Sequence, residues 1–195
     1  MINLSGWDEV SADGFYNLPY DAYKCTIVNV FLANSKSGNE MLAIDFDIAD
    51  GDHQFYFRDE TNRMRKNFPD VTWSNNARLY IVLRVEGKLN WRLKKFLSHV
   101  QKSNADFVID PSKFFDERSL VGKACGVIFK GKESKSTKKD GSRYVNTVLH
   151  DTCSIQDVID GNFSVPEIER YTGNDAPPSY SFSNSTPIDD SDTPF

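Results

Sequence analysis

Cysteine and histidine are scarce in this chain, and their placement excludes two kinds of site. The three cysteines, Cys25, Cys125 and Cys153, are odd in number and far apart, which argues against a disulfide framework and favours a reducing compartment. No Cys-x-x-Cys pair occurs, and the three histidines show no ligand spacing, so zinc binding is not expected. The sequence therefore predicts no metal and no cofactor.

The chain also lacks a long apolar run. Its longest apolar stretch, Leu79 to Leu83, has the length of a strand and is too short for a membrane span. The first residues show no basic segment followed by an apolar one, as a signal peptide would. We therefore expect a cytoplasmic protein with no membrane partner.

An excess of positive charge is missing as well, although the charges are strongly segregated. The formal net charge is −5, yet residues 172–195 contain four aspartates and no Lys or Arg. Residues 123–143 hold seven cations against two carboxylates, and residues 84–102 hold six cations against one carboxylate. A chain with basic segments and a separate acidic tail can bind a polyanion while staying soluble.

The first half of the sequence predicts three strands. Ala22 to Asn34 is rich in β-branched and aromatic residues, and a Gly- and Asn-containing turn separates it from Glu40 to Asp50, which alternates strictly. Alternation places Asp45 and Asp47 on the solvent face of this second strand. After a turn at Gly51-Asp52, we expect a third strand from His53 to Arg58. In that strand Phe55 and Phe57 would face the core, and Tyr56 and Arg58 would face outward.

The second half predicts a helix followed by two strands. Leu89 to Lys102 has apolar residues at helical spacing, beginning with Leu93 and ending with Val100. Strands are expected at Leu120 to Lys132 and at Arg143 to Ile155, joined by a basic loop, Gly131 to Ser142, that contains Asp-Gly.

This order predicts an all-β protein with one helix, namely an OB-fold: a five-stranded Greek-key barrel with a helix between strands 3 and 4. We expect the OB-fold domain to span residues 1–155, with an insertion at about 59–78. Residues 156–171 would form a C-terminal arm. Residues 172–195 would form a disordered acidic tail, because their Pro-, Ser- and Asn-rich composition cannot support a core.

An OB-fold binds oligonucleotides across strands 2 and 3, between the loops that join strands 1–2 and 4–5. Single-stranded nucleic acids are bound by cationic side chains that follow the phosphates and by aromatic side chains that stack on the bases. Ordinary packing or a solvated surface is the alternative role for each such residue. The candidates for binding single-stranded DNA are Lys36, Tyr56, Arg58, Arg63, Arg65, Lys66, Trp73, Lys130, Lys132, Lys135, Lys138, Lys139, Arg143 and Tyr144.

The last seven residues predict a docking segment for another protein. The terminal phenyl ring can enter a pocket of the partner protein, while the carboxylates lie along the basic rim of that pocket. The segment resembles the C-terminal tip of bacterial single-stranded-DNA-binding proteins, although Ser191 interrupts the acidic run and Thr193 stands where that family has isoleucine. The resemblance implies recruitment of replication and recombination proteins, and a merely solvating tail is the alternative. The docking residues would be Asp189, Asp190, Asp192, Pro194 and Phe195.

A second resemblance is carried by five segments, at residues 22–27, 41–51, 92–104, 120–127 and 161–166. Together they resemble a family of bacteriophage proteins encoded in the replication modules of phages of Gram-positive bacteria. The resemblance covers most of residues 7 to 168. It implies an OB-like fold, coating of single-stranded DNA, and action in the cytoplasm of the infected host cell. The number of subunits stays open, including a homo-oligomer.

Three alternatives to this function remain. Asp70, Glu86 and Lys88 resemble the signature of Mg²⁺-dependent nucleases, in which two carboxylates hold the metal and a lysine lies beside the attacked phosphate. A turn at residues 86–88 explains the same pattern, and we expect a protein that is not an enzyme. An OB-fold can also bind a protein, and stacking and phosphate contacts barely separate DNA from RNA.

Overall fold

The computed structural model describes residues 18–173 and the backbone of residues 180–181. The chain is mostly β, as predicted, with few helices. The strands are β1 (Ala22–Ser35), β2 (Glu40–Ile48), β3 (Arg78–Val82), β4 (Arg84–Val85), β5 (Lys88–Leu89), β6 (Ala124–Thr137), β7 (Arg143–Cys153) and β8 (Tyr180–Ser181). The helices are α1 (Tyr56–Arg65), α2 (Trp91–Ser103) and α3 (Ile155–Asp160), with 3-10 turns at Asn75–Ala77 and Glu117–Leu120.

Five strands form one antiparallel sheet in the order β3-β2-β1-β6-β7, and β8 pairs with the end of β1. β4 and β5 form a small separate hairpin. A β-bulge lies in β1 between Ile27 and Asn29. The predicted helix is confirmed as α2, and it lies between the third and fourth strands of the main sheet, β3 and β6.

The core lies on one face of the sheet. Leu42, Ile44, Phe46 and Ile48 of β2 belong to this core, as predicted. The intervening residues of β2 are buried too, on the opposite face of the sheet. The helical stripe of α2 packs against the core face, with the ring of Phe96 meeting that of Phe46 edge to face at 6.3 Å between centroids.

The predicted strand at His53 to Arg58 is wrong, because the chain turns there and begins α1 at Tyr56. Gly51 and Phe55 both adopt positive φ, 79° and 64°, which ends the extended conformation. The third strand of the sheet is β3 instead. The expected insertion at about 59–78 therefore contains most of α1, and the described residues contain three α-helices where the sequence predicted one.

The segment after β7 packs against the sheet. α3 begins with a capping box between Ser154 and Asp157. Beyond it, Phe163 and Val165 pack on Ile128 of β6. Glu169 then joins β6 as an isolated parallel bridge to Lys132. This arm occupies the edge of β6 beyond the start of β1.

Candidate nucleic-acid interface

The start of α1 is held by Asp47, a side chain of β2. Its Oδ1 atom accepts hydrogen bonds from the backbone N–H groups of Ile48 (3.0 Å) and Phe57 (3.1 Å). The first N–H groups of a helix have no partner within the helix, so this carboxylate does the work of a cap. Asp47 is 3% exposed, and the prediction that it faces solvent is wrong. Burial raises the pKa of Asp47, while the N–H donors and Arg58 act in the opposite direction.

Phe55 and Arg58 form a stacked pair at the start of α1. The guanidinium carbon of Arg58 lies 3.6 Å from the centroid of the Phe55 ring. Phe55 was predicted in the core but is 37% exposed, whereas Phe57 is buried as predicted. Tyr56 was predicted to face outward but packs against the core, where burial raises its pKa. Helical geometry replaces the expected alternation, which is why two of these four assignments are wrong.

A cavity of about 330 Å³ lies beside this pair, between β1, β2 and α1. We call it the α1 cavity. Two predicted DNA-binding residues, Arg58 and Trp73, line it together. The Trp73 indole N–H donates to the carbonyl of Phe46 at 3.2 Å, at the part of β2 that extends beyond β3. The remaining lining residues are Thr26, Val28, Asp47, Ile48, Ala49, Gln54 and Phe55.

The other predicted cations of this region lie farther along α1. Arg63 is half-buried near Glu60, and Lys66 is exposed at the end of the helix. The Nε atom of Arg65 donates to the carbonyl of Val71 at 3.0 Å, which ties the following loop to the helix. The structure thus places Arg58, Arg63, Arg65 and Lys66 on one short helix or at its end.

Glu60 is the least satisfied ionisable group near this helix. Its buried Oε2 atom has no hydrogen-bond partner within the part of the chain that the structure describes. Burial raises the pKa of Glu60, and Arg63 and Ser74 only partly oppose this shift. The ionised form of this carboxyl group therefore costs stability.

Replacing Glu60 with glutamine is expected to raise the free energy of unfolding by about 1 kcal/mol at pH 7.5. The pKa of Glu60 is higher in the folded than in the unfolded protein, so the fold favours the protonated carboxyl group. This contribution to stability is complete below the unfolded-state pKa and is lost as the pH rises through the folded-state pKa. The gain from E60Q should therefore vanish near pH 4. Urea denaturation of both proteins at the two pH values checks this, and an equal gain at both would contradict it.

A second polar group lies on the face of the sheet opposite the core. Arg78 pairs with Asp45 through two contacts, Nε to Oδ1 at 2.5 Å and Nη2 to Oδ2 at 3.1 Å. Asn29 also donates to Oδ2 of Asp45 at 3.2 Å. The side chains of Arg78 and Asp45 are 6% and 1% exposed, so the prediction that Asp45 faces solvent is wrong.

Two aromatic residues that sequence reasoning missed flank this ion pair. Phe31, Ala43 and Tyr80 are paired in one row across β1, β2 and β3, next to the row of Asn29, Asp45 and Arg78. The Arg78 guanidinium carbon lies 5.1 Å from the Phe31 ring centroid and 6.0 Å from that of Tyr80. The alternation of side chains along β1 and β3 is the sequence signal that could have identified them, because it places Phe31 and Tyr80 on the face opposite the core.

The lysines of β6 and of the loop after it divide into two groups. Lys130 and Lys132 both bind Glu169 of the arm, at 2.5 and 3.0 Å. These ammonium groups hold the pKa of Glu169 below its usual range. Lys135, Lys138 and Lys139 are exposed, and none of the three forms an ion pair with another described residue. β6 continues to Thr137, so the basic loop is limited to residues 138–142, shorter than predicted.

Arg143 is engaged in holding the same hairpin together. Its Nη1 atom donates to the carbonyls of Ser134 (3.0 Å) and Lys135 (2.6 Å), and its guanidinium lies 4.1 Å from the ring centroid of Tyr171. The neighbouring Tyr144 is half-buried, and the Lys138 ammonium lies 5.6 Å from the centroid of its ring. These contacts fix the hairpin that carries the exposed lysines.

The strand register separates the candidate residues into three places. β1 pairs with β6 only at Ala22–Thr26, so its other end carries Lys36, exposed in the turn to β2. β6 runs in the opposite direction, toward the basic hairpin. The α1 cavity lies between these ends, beside Thr26 and Val28. The candidates therefore lie at three separate places, with the basic hairpin beyond the start of β1, and do not meet in one cluster.

The nuclease-like residues lie in irregular structure. Glu86 occupies the two-residue turn between β4 and β5 with φ 52°, Lys88 opens β5, and Asp70 is exposed in the loop after α1. Between residues 18 and 173 no group of three or more His, Cys, Asp or Glu residues is placed to hold a metal ion. The predicted docking residues 189–195 lie outside the described residues.

No model of a known protein family matches the chain, and the comparison with curated proteins finds no significant match. Within the described part of the chain, none of the helices has the length and apolar character needed to cross a membrane.

Proposed function

We propose that this protein binds single-stranded DNA with little sequence preference and acts in the cytoplasm of a phage-infected cell. The strand order supports the fold on which the proposal rests. Read from β6, the order is fourth, first, second, third, which is the order of a Greek key. The 3-10 turn that leads into β3 contacts β7, the opposite outer strand, as closure of an OB barrel requires.

The observation that carries the proposal is the exposed positive charge of the basic hairpin. Lys135, Lys138 and Lys139 carry like charges within five residues of one hairpin, and a bound anion reduces the repulsion between such charges. Tyr144 beside Lys138 adds a ring on which a base can stack. Nearby Lys130, Lys132 and Arg143 are engaged within the protein, so the exposed lysines are the members of this segment best placed for phosphates.

Oligo-dT binding measured against salt concentration tests this function. We expect log K to fall with log salt, with a slope of about −0.7 for each phosphate that the protein neutralises. Replacing Lys135, Lys138 and Lys139 with glutamine should reduce the magnitude of that slope by about 2. Fluorescence anisotropy with a labelled oligonucleotide gives both numbers.

The matched control removes three lysines elsewhere, so that both variants have the same net charge. Lys94, Lys102 and Lys113 are exposed on α2 and the connector after it, outside the proposed site. Their replacement with glutamine should change the slope by less than about 0.5. Equal slopes for the two variants would contradict the role of the hairpin, and absence of oligo-dT binding by the unaltered protein would contradict the function itself.

We also propose that residues 189–195 capture a replication or recombination protein. This part of the proposal rests on the sequence, because Asp189, Asp190 and Asp192 precede Pro194 and Phe195. Deleting residues 189–195 should abolish capture of such a protein from a host extract while leaving oligo-dT affinity equal or higher. Loss of DNA binding in the shortened chain would contradict this assignment.

A further inference from the structure

We infer that the α1 cavity is a binding site for one unpaired base of single-stranded DNA, which stacks on the guanidinium of Arg58 where that group lies against Phe55. The inference rests on the proposed function and assigns a particular site to it. Three features of the described structure support it: the backbone conformation of Phe55, the environment of Arg58, and the size and lining of the cavity.

Phe55 has a backbone conformation that costs energy, in the turn from β2 into α1 where its N–H donates to the carbonyl of Ile48 at 3.0 Å. Its φ of 64° and ψ of 20° lie in the left-handed region, which costs a residue with a side chain about 1–2 kcal/mol. For a bulky residue such a conformation is uncommon, and strained residues of this kind cluster at ligand-binding sites. Glycine or asparagine would adopt it more readily. The ring is 37% exposed, and it lies directly against Arg58.

Arg58 presents a flat cation that is weakly engaged within the protein. Its Nε atom lies 3.7 Å from Asp59, and their side chains are 48% and 70% exposed, so this ion pair contributes little. With one side of the guanidinium against Phe55, a base can stack on the other side. Proteins use Arg planes in this way to hold unstacked bases, and the charge remains able to pair with a phosphate.

The cavity has the dimensions and lining for a base. Its volume of about 330 Å³ is near the lower end of the range for small-ligand sites, about 300–1,000 Å³. Val28 and Trp73 give it apolar sides, and Thr26 and Gln54 add polar groups that can meet the edge of a base. The carboxylate of Asp47 repels a phosphate, so the base enters and its phosphate stays at the mouth.

The Phe55→Asn variant distinguishes an effect on DNA binding from an effect on the stability of the fold. Asparagine tolerates the left-handed conformation, so this change removes the ring and relieves the backbone strain together. We expect oligo-dT affinity to fall about tenfold, within the range for loss of one stacked base, while resistance to urea stays equal or increases. Arg58→Gln should lower affinity by a similar factor. Lys94→Gln, which removes the same charge from α2, should lower it less than twofold.

Trp73 provides a direct readout of the cavity. In a protein with Trp7→Phe and Trp91→Phe, Trp73 is the remaining tryptophan, and saturating oligo-dT should quench its emission. Adding Phe55→Asn to that protein should remove most of the quenching, even at saturation.

Several outcomes would overturn the inference. These are oligo-dT affinity within twofold of normal for both F55N and R58Q, absence of quenching while DNA is bound, or weaker binding by F55N with lower stability while R58Q binds normally. In each case the proposed function stands, because the unaltered protein still binds DNA. If the unaltered protein does not bind oligo-dT, the proposed function fails, and the inference fails with it.

Discussion

Replacing Arg78 with methionine is expected to lower the free energy of unfolding by about 3–5 kcal/mol, the cost of removing one partner of a buried ion pair. The change leaves the carboxylate of Asp45 unpaired at a position that is 1% exposed. Asn29 alone, with one donor at 3.2 Å, does not replace the two contacts from Arg78. Urea denaturation at constant ionic strength measures the loss.

The double variant Asp45→Leu/Arg78→Met separates the value of the pair from the cost of an orphaned charge. Two apolar side chains of similar volume leave no buried charge, so the double variant should recover most of the lost stability. The coupling between the two changes should exceed about 2 kcal/mol. A loss below 1 kcal/mol for Arg78→Met alone would mean that Asp45 reaches water in solution.

Replacing Asp47 with alanine is expected to cost about 2–3 kcal/mol, combining the loss of a helix cap with two N–H groups left unpaired near the core. The hydrogen bonds at stake run from Ile48 and Phe57 to the Oδ1 atom. The start of α1 should then fray. Amide hydrogen exchange at residues 55–60 should accelerate more than exchange in β6, and denaturation should show the loss of stability.

Asp59→Ala is the matched control for this experiment. Asp59 lies in the first turn of the same helix, but its side chain is 70% exposed, and its one ion pair among the described residues is with Arg58 at 3.7 Å. An exposed carboxylate near the start of a helix contributes about 0.3–1 kcal/mol. Equal losses for Asp47→Ala and Asp59→Ala would show that general helix electrostatics, and not the bonds to Asp47, hold α1 in place.

The elements that sequence predicts well are those whose signal is local. Alternation with period two runs the length of β2, and the spacing from Leu93 to Val100 marks α2, so both follow from side-chain periodicity. β6 and β7 flank an Asp-Gly turn and were found for the same reason. Burial itself does not alternate in these strands, because every residue from Met41 to Ile48 of β2 and from Cys125 to Phe129 of β6 is buried.

α1 escaped prediction because its start depends on a residue outside it. The alternation of Phe55, Tyr56, Phe57 and Arg58 favours a strand locally. The N–H of Phe57 instead bonds Asp47, ten positions earlier, and Phe55 takes a backbone conformation that propensity disfavours. A contact between strand and helix therefore outweighs the local pattern.

The charged residues show the same limit over longer distances. Asp45 looks like a solvent-facing carboxylate until β3 brings Arg78 beside it, 33 positions away. Lys130 and Lys132 look like DNA contacts until the arm brings Glu169 between them. Composition identifies Arg58 and Trp73 as candidates, but only the packing of α1 on β2 places them around one cavity.

The burial of every thiol in the chain makes this protein convenient for site-directed labelling. Cys25, Cys125 and Cys153 are all buried, and burial raises the pKa of each, that of Cys153 to about 11. Thiolates, the reactive form, are therefore rare at neutral pH. A cysteine introduced at Lys139 would take up a maleimide dye without prior removal of the native ones. Energy transfer from that dye to a tagged oligonucleotide would then give the direction in which the strand lies.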